Sequence, residues 1–157
     1  MTNTNFIIRE APGCGKGVFS TKSHRKEEIL FVFAEKVVPW TKANHRSVQL
    51  GKNRWLTPGK QDMGYYVNHS CDPNARFKKP HFIAALRSIK AGEEITLDYS
   101  TLVDIPKWDM ECACGEKNCR KIIKSYSKSP KETQKKYENM LSFIANNFNF
   151  RYSEKQI

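Results

Sequence analysis

Asn68-His69-Ser70-Cys71-Asp72-Pro73-Asn74 is the stretch from which this chain is best read. It is too polar for a core strand, and Asp-Pro-Asn signals a turn. Tyr65-Tyr66-Val67 leads into it, and Phe77 and the apolar run Phe82-Ile83-Ala84-Ala85-Leu86 follow. A polar loop pinned between β-forming stretches is a common place for ligand contacts. The plainer reading is a turn whose Asn and His side chains cap backbone groups, and composition alone favours it.

Short strands recur on both sides. Phe6-Ile7-Ile8 and Val18-Phe19 flank the glycine-rich turn Pro12-Gly13-Cys14-Gly15-Lys16-Gly17, which by itself reads as a hairpin. Ile29-Leu30-Phe31-Val32-Phe33 is a continuous apolar strand, followed by Val37-Val38, which Pro39 ends. Val48-Gln49-Leu50 and Arg54-Trp55-Leu56 alternate around Gly51-Lys52-Asn53, predicting a second hairpin. Residues 82–86 and 94–99 are further strands, joined through Lys90-Ala91-Gly92. Turn signals at this spacing predict a mainly β protein without internal repeats.

At 157 residues the chain reads as one domain, able to bury roughly 70% of its unfolded surface. No stretch approaches the roughly 18 apolar residues of a membrane span. The N-terminus shows neither the charged region nor the apolar run of a signal peptide, so the sequence predicts a soluble, intracellular protein, cytoplasmic or nuclear. The net charge of +11 is uneven. Residues 120–157 carry nine Lys or Arg against three Glu, a balance of +6, and the rest carry eighteen against thirteen, +5. Such a tail fits nucleic acid or a nucleosome, and equally a solvated surface without partner. In it, Ser129-Pro130-Lys131-Glu132 predicts a helix start with a capping box, and Tyr137, Leu141, Ile144, Ala145 and Phe148 share one face of a helix near 130–148. Five cysteines are an odd number, and Cys112, Cys114 and Cys119 crowd into eight residues. In an intracellular chain that spacing points to metal rather than disulfides, and a structural zinc needs a fourth ligand beyond these three.

Four motifs then stand in order: Gly15-Lys16-Gly17-Val18-Phe19, the residue 68–74 stretch, Gly92-Glu93-Glu94-Ile95-Thr96-Leu97-Asp98-Tyr99, and Cys112-Ala113-Cys114-Gly115 with Asn118-Cys119-Arg120. Over residues 6–123 the chain resembles the SET-domain family of protein lysine methyltransferases, including its post-SET segment. The resemblance implies several small sheets with a knot-like crossing of the 68–71 and 97–99 segments. It implies a SET domain at 6–100, a linker at 101–111, a post-SET zinc segment at 112–123 and a basic tail at 124–157. Cys71 would be the fourth zinc ligand beside Cys112, Cys114 and Cys119. Cys14 is left over, without a chemical role.

The implied reaction is methyl transfer from S-adenosylmethionine to a lysine amine of a protein substrate, histone or other. Tyr99 matches the catalytic tyrosine. Lys16, Gly17, Asn68 and His69 match cofactor-binding positions, with Tyr99 beside them. Tyr65 stands where the family often has a cofactor-contacting arginine. Leu97 stands where the family has Phe or Tyr, in the pocket that sets how many methyl groups are added. Leucine there leaves room and implies multiple methylation. Asp104 and Asp109 are candidates to line a groove for a basic peptide. The competing class is a catalytically silent, zinc-stabilised module that binds nucleic acid or protein through its tail.

Overall fold

The structure is a computed structural model and describes residues 4–137. Among these, twelve strands pair into five small sheets. The strands are β1 (Phe6–Ala11), β2 (Gly15–Ser20), β3 (Ile29–Val32), β4 (Val37–Val38), β5 (Val48–Gly51) and β6 (Arg54–Leu56). There follow β7 (Asn68–His69), β8 (Ala75–Lys79), β9 (Phe82–Ala85), β10 (Thr96–Leu97), β11 (Asp109–Glu111) and β12 (Ile122–Lys124). One helix, α1, spans Lys131–Tyr137. The mainly β expectation holds, with strands shorter than their apolar runs.

The first hairpin pairs β1 with β2 from Phe6 opposite Ser20 to Ala11 opposite Gly15. Gly13 and Gly15 hold φ of 76° and 74°, left-handed conformations that make so tight a reversal cheap for glycine. A β3-β9-β8 sheet and a β4-β6-β5 sheet, both antiparallel, enclose the core. Trp55, Leu56, Ile83, Ile89, Ile95 and Leu97 are fully buried there. Each such side chain stabilises the fold by about 1.5–3 kcal/mol.

The polar stretch is not a plain surface turn. Asn68 and His69 form β7, which pairs in parallel with β10 through Thr96 opposite Asn68 and Leu97 opposite His69. The expected long strand over 94–99 shrinks to these two residues, because Asp98 accepts from the Ser100 amide and turns Tyr99–Thr101 into a 3-10 turn. Beyond it, the 101–111 span is more than a spacer: Leu102 and Val103 are buried in the core, and Val103 accepts from the Tyr126 amide. β11 and β12 then pair antiparallel, placing Ile123 at zero exposure against Cys71 and Cys112.

Helix α1 begins where the Ser-Pro-Lys-Glu signal predicts. The Ser129 hydroxyl, however, turns back to donate to Lys124 O and Ser125 O rather than capping the helix. Tyr137 is buried, at 3% exposure. The other residues of the expected helical stripe, Leu141, Ile144, Ala145 and Phe148, lie outside the described residues.

Gly64, in the 3-10 turn Met63–Tyr66, is set against the Phe33 carbonyl, and a Cβ there would collide with that backbone oxygen and approach the Phe33 ring at 2.6 Å. Gly64→Ala should therefore cost about 1–3 kcal/mol in denaturant unfolding, as overpacking does. Gly51→Ala, where a Cβ meets open space, should cost much less. Equal effects would count against this packing.

Candidate active site and metal centre

Polar residues 68–74 are tied in one by one. Asn68 Nδ2 donates to Lys16 O at 3.1 Å and to Glu94 Oε1 at 2.7 Å, joining the glycine-rich turn to the strand pair. A Cβ on Gly17 would meet the end of the Glu94 side chain, which would have to give way and leave Asn68. Ser70 N donates to Leu97 O at 3.0 Å, and the Ser70 hydroxyl donates to Glu116 Oε1 at 3.0 Å. Asn74, buried at 3% exposure, donates to Glu94 O at 2.7 Å and accepts from Thr96 N at 3.0 Å.

His69 and Tyr99 meet directly. Their rings lie edge to face at 5.3 Å, and the Tyr99 amide donates to His69 Nδ1 at 3.1 Å. Burial first, and the nearby Arg120 charge after it, pull His69 down to about 4 against the opposing pull of Asp98, so the ring is neutral near pH 7. Because Nδ1 accepts, the ring proton sits on Nε2, which faces Cys71 Sγ at 3.3 Å. The Tyr99 hydroxyl donates to Val67 O at 2.7 Å. Burial pushes its pKa up to about 12, so it is a neutral phenol at working pH.

Tyr99 forms part of the wall of a cavity of about 580 Å³. Phe33, Trp40, Trp55, Trp108 and Met110 make it aromatic and apolar, and Arg46 and Asp109 add one charge of each sign. Arg46 lies over the Tyr65 ring at 4.1 Å and donates to Tyr65 O at 2.9 Å. Asp109 thus borders the cavity, whereas Asp104 accepts from the Ser127 amide at 2.9 Å. Leu97, 1% exposed, packs in the core and is absent from the cavity wall.

The second cluster is sulfur-rich. Cys71 Sγ is 3.9 Å from Cys112 Sγ, which is 3.8 Å from Cys119 Sγ. A tetrahedral zinc with Zn–S bonds of 2.3 Å has S···S edges of about 3.8 Å, so these spacings fit that ion. Donor atoms of His69, Cys71, Cys112 and Cys114 all lie within 4.8 Å of one another, a set that has His69 where the sequence reading has Cys119, so five donors stand around four positions. The Tyr99 amide at Nδ1 favours the tautomer with its proton on Nε2, which leaves the four cysteines as the zinc ligands. Nε2 then donates to the Cys71 sulfur, as outer-shell groups do. Burial pushes the Cys112 thiol up, so a thiolate there needs a cation to hold it. The Lys121 amide pulls the Cys119 thiol down to about 7. Lys121 itself adopts φ of 64°, a left-handed conformation costing roughly 1–2 kcal/mol.

Sequence reading did not single out Asp98, Arg120, Arg46 or Glu94. Asp98 is 3% exposed, and its Oδ1 accepts from Arg120 Nη2 at 2.6 Å, Ser100 Oγ at 2.7 Å and Ser100 N at 3.1 Å. The only signal was position: Asp98 precedes Tyr99 and Arg120 follows Cys119.

Comparison with known proteins gives the family. The SET domain family model matches residues 15–100, more than half of the chain. Histone-lysine N-methyltransferase Su(var)3-9 of Drosophila melanogaster is 27% identical over 154 residues, covering 74% of this chain and 24% of that protein. Histone-lysine N-methyltransferase SUV39H1-A of Danio rerio is 34% identical over 95 residues, covering 40% of this chain and 23% of the relative. The H3 lysine-36 specific histone-lysine N-methyltransferase of Candida albicans is 43% identical over 72 residues, covering 41% of this chain and 8% of its own length. The chain thus spans about a quarter of the first two relatives. Among the described residues no helix is long and apolar enough to cross a membrane.

The sulfur geometry predicts one zinc per purified chain. Cys119→Ser should lose the ion, whereas His69→Ala should keep the stoichiometry and lose about 10–100-fold in affinity. Metal analysis with chelator titration checks both, and a metal-free His69→Ala would make His69 a ligand.

Proposed function

This chain belongs to the SET-domain family, and from that premise we propose that it transfers methyl groups from S-adenosylmethionine to the side-chain amine of a protein lysine. The observation that carries the reading is the neutral Tyr99 hydroxyl, anchored on Val67 O at the wall of an aromatic cavity of lysine-admitting size. The names of the relatives support a histone as the substrate. The SET unit would span 6–100, with 101–111 leading to a post-SET segment at 112–123. Cys71, Cys112, Cys114 and Cys119 would hold a structural zinc, and Lys16, Gly17, Tyr65, Asn68 and His69 would hold the cofactor beside Tyr99.

S-adenosylmethionine supplies an electrophilic methyl group on a sulfonium. The protein must deliver a neutral amine. Lysine titrates near 10.4, so at pH 7 about 4.6 kcal/mol separates it from that form. The apolar cavity disfavours the ammonium by desolvation, and Arg46 adds like-charge repulsion. The amine loses its proton to solvent before transfer. Tyr99 cannot serve as the base, since its hydroxyl already carries a firmly held proton. With that proton committed to Val67 O, the Tyr99 oxygen keeps lone pairs that accept an amine N–H and turn the nitrogen lone pair toward the methyl carbon. The rate gain is then positional. Leu97 stands where the family has Phe or Tyr and brings no hydroxyl, but it packs in the core off the wall of this cavity, so di- or trimethyllysine as product follows from the resemblance alone. The +6 balance of residues 120–157 supports an additional contact with nucleic acid or the nucleosome.

Tyr99→Phe should lower turnover at least tenfold, about 1.4 kcal/mol of barrier, with cofactor affinity nearly kept. At subsaturating substrate the wild-type rate should rise close to tenfold per pH unit from 7 to 9, as more amine is neutral. Tyr99→Phe should lower that line without changing its slope. A flat profile would remove amine deprotonation from the mechanism. For the product, mass spectrometry with cofactor in excess should find two or three methyl groups, and an enzyme that stops at one would reject the role given to Leu97.

A further inference from the structure

Arg120 spends every guanidinium nitrogen on groups from two different parts of the chain. Nε donates to Cys71 Sγ at 3.4 Å, Nη1 to Ser100 Oγ at 3.3 Å and Nη2 to Asp98 Oδ1 at 2.6 Å. Its backbone N–H also donates to Cys71 Sγ, at 3.4 Å. The Asp98 and Ser100 side chains that receive it flank Tyr99 in sequence, and both residues are buried. On the other side of Tyr99, His69 Nδ1 accepts the Tyr99 amide while His69 Nε2 faces the same Cys71 sulfur. One sulfur is therefore connected to the Tyr99 turn by two separate routes.

We propose that Arg120 is a positioning residue that couples metal binding at the cysteine cluster to cofactor binding beside Tyr99. The inference rests on the methyl-transfer reading. Its physical content is that a cation at the cluster would fix the position of the Cys71 sulfur, to which Arg120 donates twice. Arg120 follows that sulfur, and its planar fork passes the constraint to Asp98 and Ser100 as a rigid body. A lysine, with one donor nitrogen on a flexible stem, could not hold Cys71, Ser100 and Asp98 together. Burial works against the Arg120 charge, but Asp98 and Cys71 outweigh it and keep the guanidinium ionised. The bridge also explains why the β11–β12 hairpin is bound so closely to the Tyr99 turn: Arg120 follows directly on Cys119, and the Lys121 backbone twist lets it enter while Cys119 stays at the cluster.

Coupling of this kind is reciprocal: a ligand that tightens zinc is tightened by zinc by the same factor. The test uses the full zinc-loaded chain, a chromophoric chelator as competitor, and S-adenosylhomocysteine as the cofactor-site probe. In the wild type, saturating S-adenosylhomocysteine should raise zinc affinity at least tenfold. In Arg120→Met the ratio of affinities with and without the probe should fall below threefold. Asp98→Asn combined with Arg120→Met gives the same reading without stranding a buried carboxylate, and so covers the single variant's risk of misfolding. A merely structural role would weaken zinc equally with and without the probe and leave the ratio intact. A tenfold ratio surviving in both variants overturns the proposal, as does a wild-type ratio of one with the probe bound. If the zinc-loaded wild type binds no S-adenosylhomocysteine, the methyl-transfer reading itself fails.

Discussion

The structure depends on the burial of a polar peptide. Residues 68–74 bring almost no apolar surface to the interior, yet Ser70, Cys71 and Asn74 are nearly inaccessible there. A buried polar group left without a partner costs about 1–3 kcal/mol, so several misses would consume a typical domain's whole stability. The chain avoids this by giving the stretch partners from distant segments: Lys16, Glu94, Leu97, Tyr99, Glu116 and Arg120. The Ser70 amide bond to Leu97 continues the pairing of β7 with β10, and the others tie the stretch to its further neighbours. A slip by one residue would leave most of these groups without partners, which makes so short a parallel pair specific.

The two ionisation extremes at the site serve one end. His69 and Tyr99 are kept neutral by burial, one far below and one well above neutral pH. The full charges, Asp98 and Arg120, are paired one layer behind them. Buried ion pairs rarely add much net stability, and removing one partner is what costs. Here the pair's value lies in direction. The Asp98 carboxylate pulls the backbone into the Tyr99–Thr101 turn, and Arg120 holds that carboxylate in place.

Much of this was legible in the sequence. The hairpins over 6–20 and 48–56, the strands at 29–32 and 82–85, and the start of the tail helix follow from apolar periodicity and turn chemistry. The crowding of Cys112, Cys114 and Cys119 announced a metal-type cluster. Other features could not be read. Parallel pairing of Asn68–His69 with Thr96–Leu97 leaves no mark in local propensity, since neither pair of residues looks like a strand alone. Leu102 and Val103 read as linker because two apolar residues set no period. Arg120 and Asp98 look like ordinary charged residues, and their partnership exists only in three dimensions. The Ser129 capping box shows the opposite case: the local signal marked the helix start, but the hydroxyl donates to the carbonyls of Lys124 and Ser125 behind it.

The spacing of the Arg120 bridge along the chain has a consequence for biosynthesis. Arg120 lies 22 residues beyond Asp98 and 49 beyond Cys71. A ribosome delivers Cys71 and the Tyr99 turn well before the segment that completes their surroundings. Through that interval the Asp98 carboxylate waits for its Arg120 partner, and the pocket cannot mature by local folding alone. Contacts of such long separation are slow to close. Maturation of the Asp98 surroundings therefore waits for emergence of Cys119 and its neighbour Arg120. Nascent chains stalled before residue 120 would lack the assembled site however well their hairpins had formed.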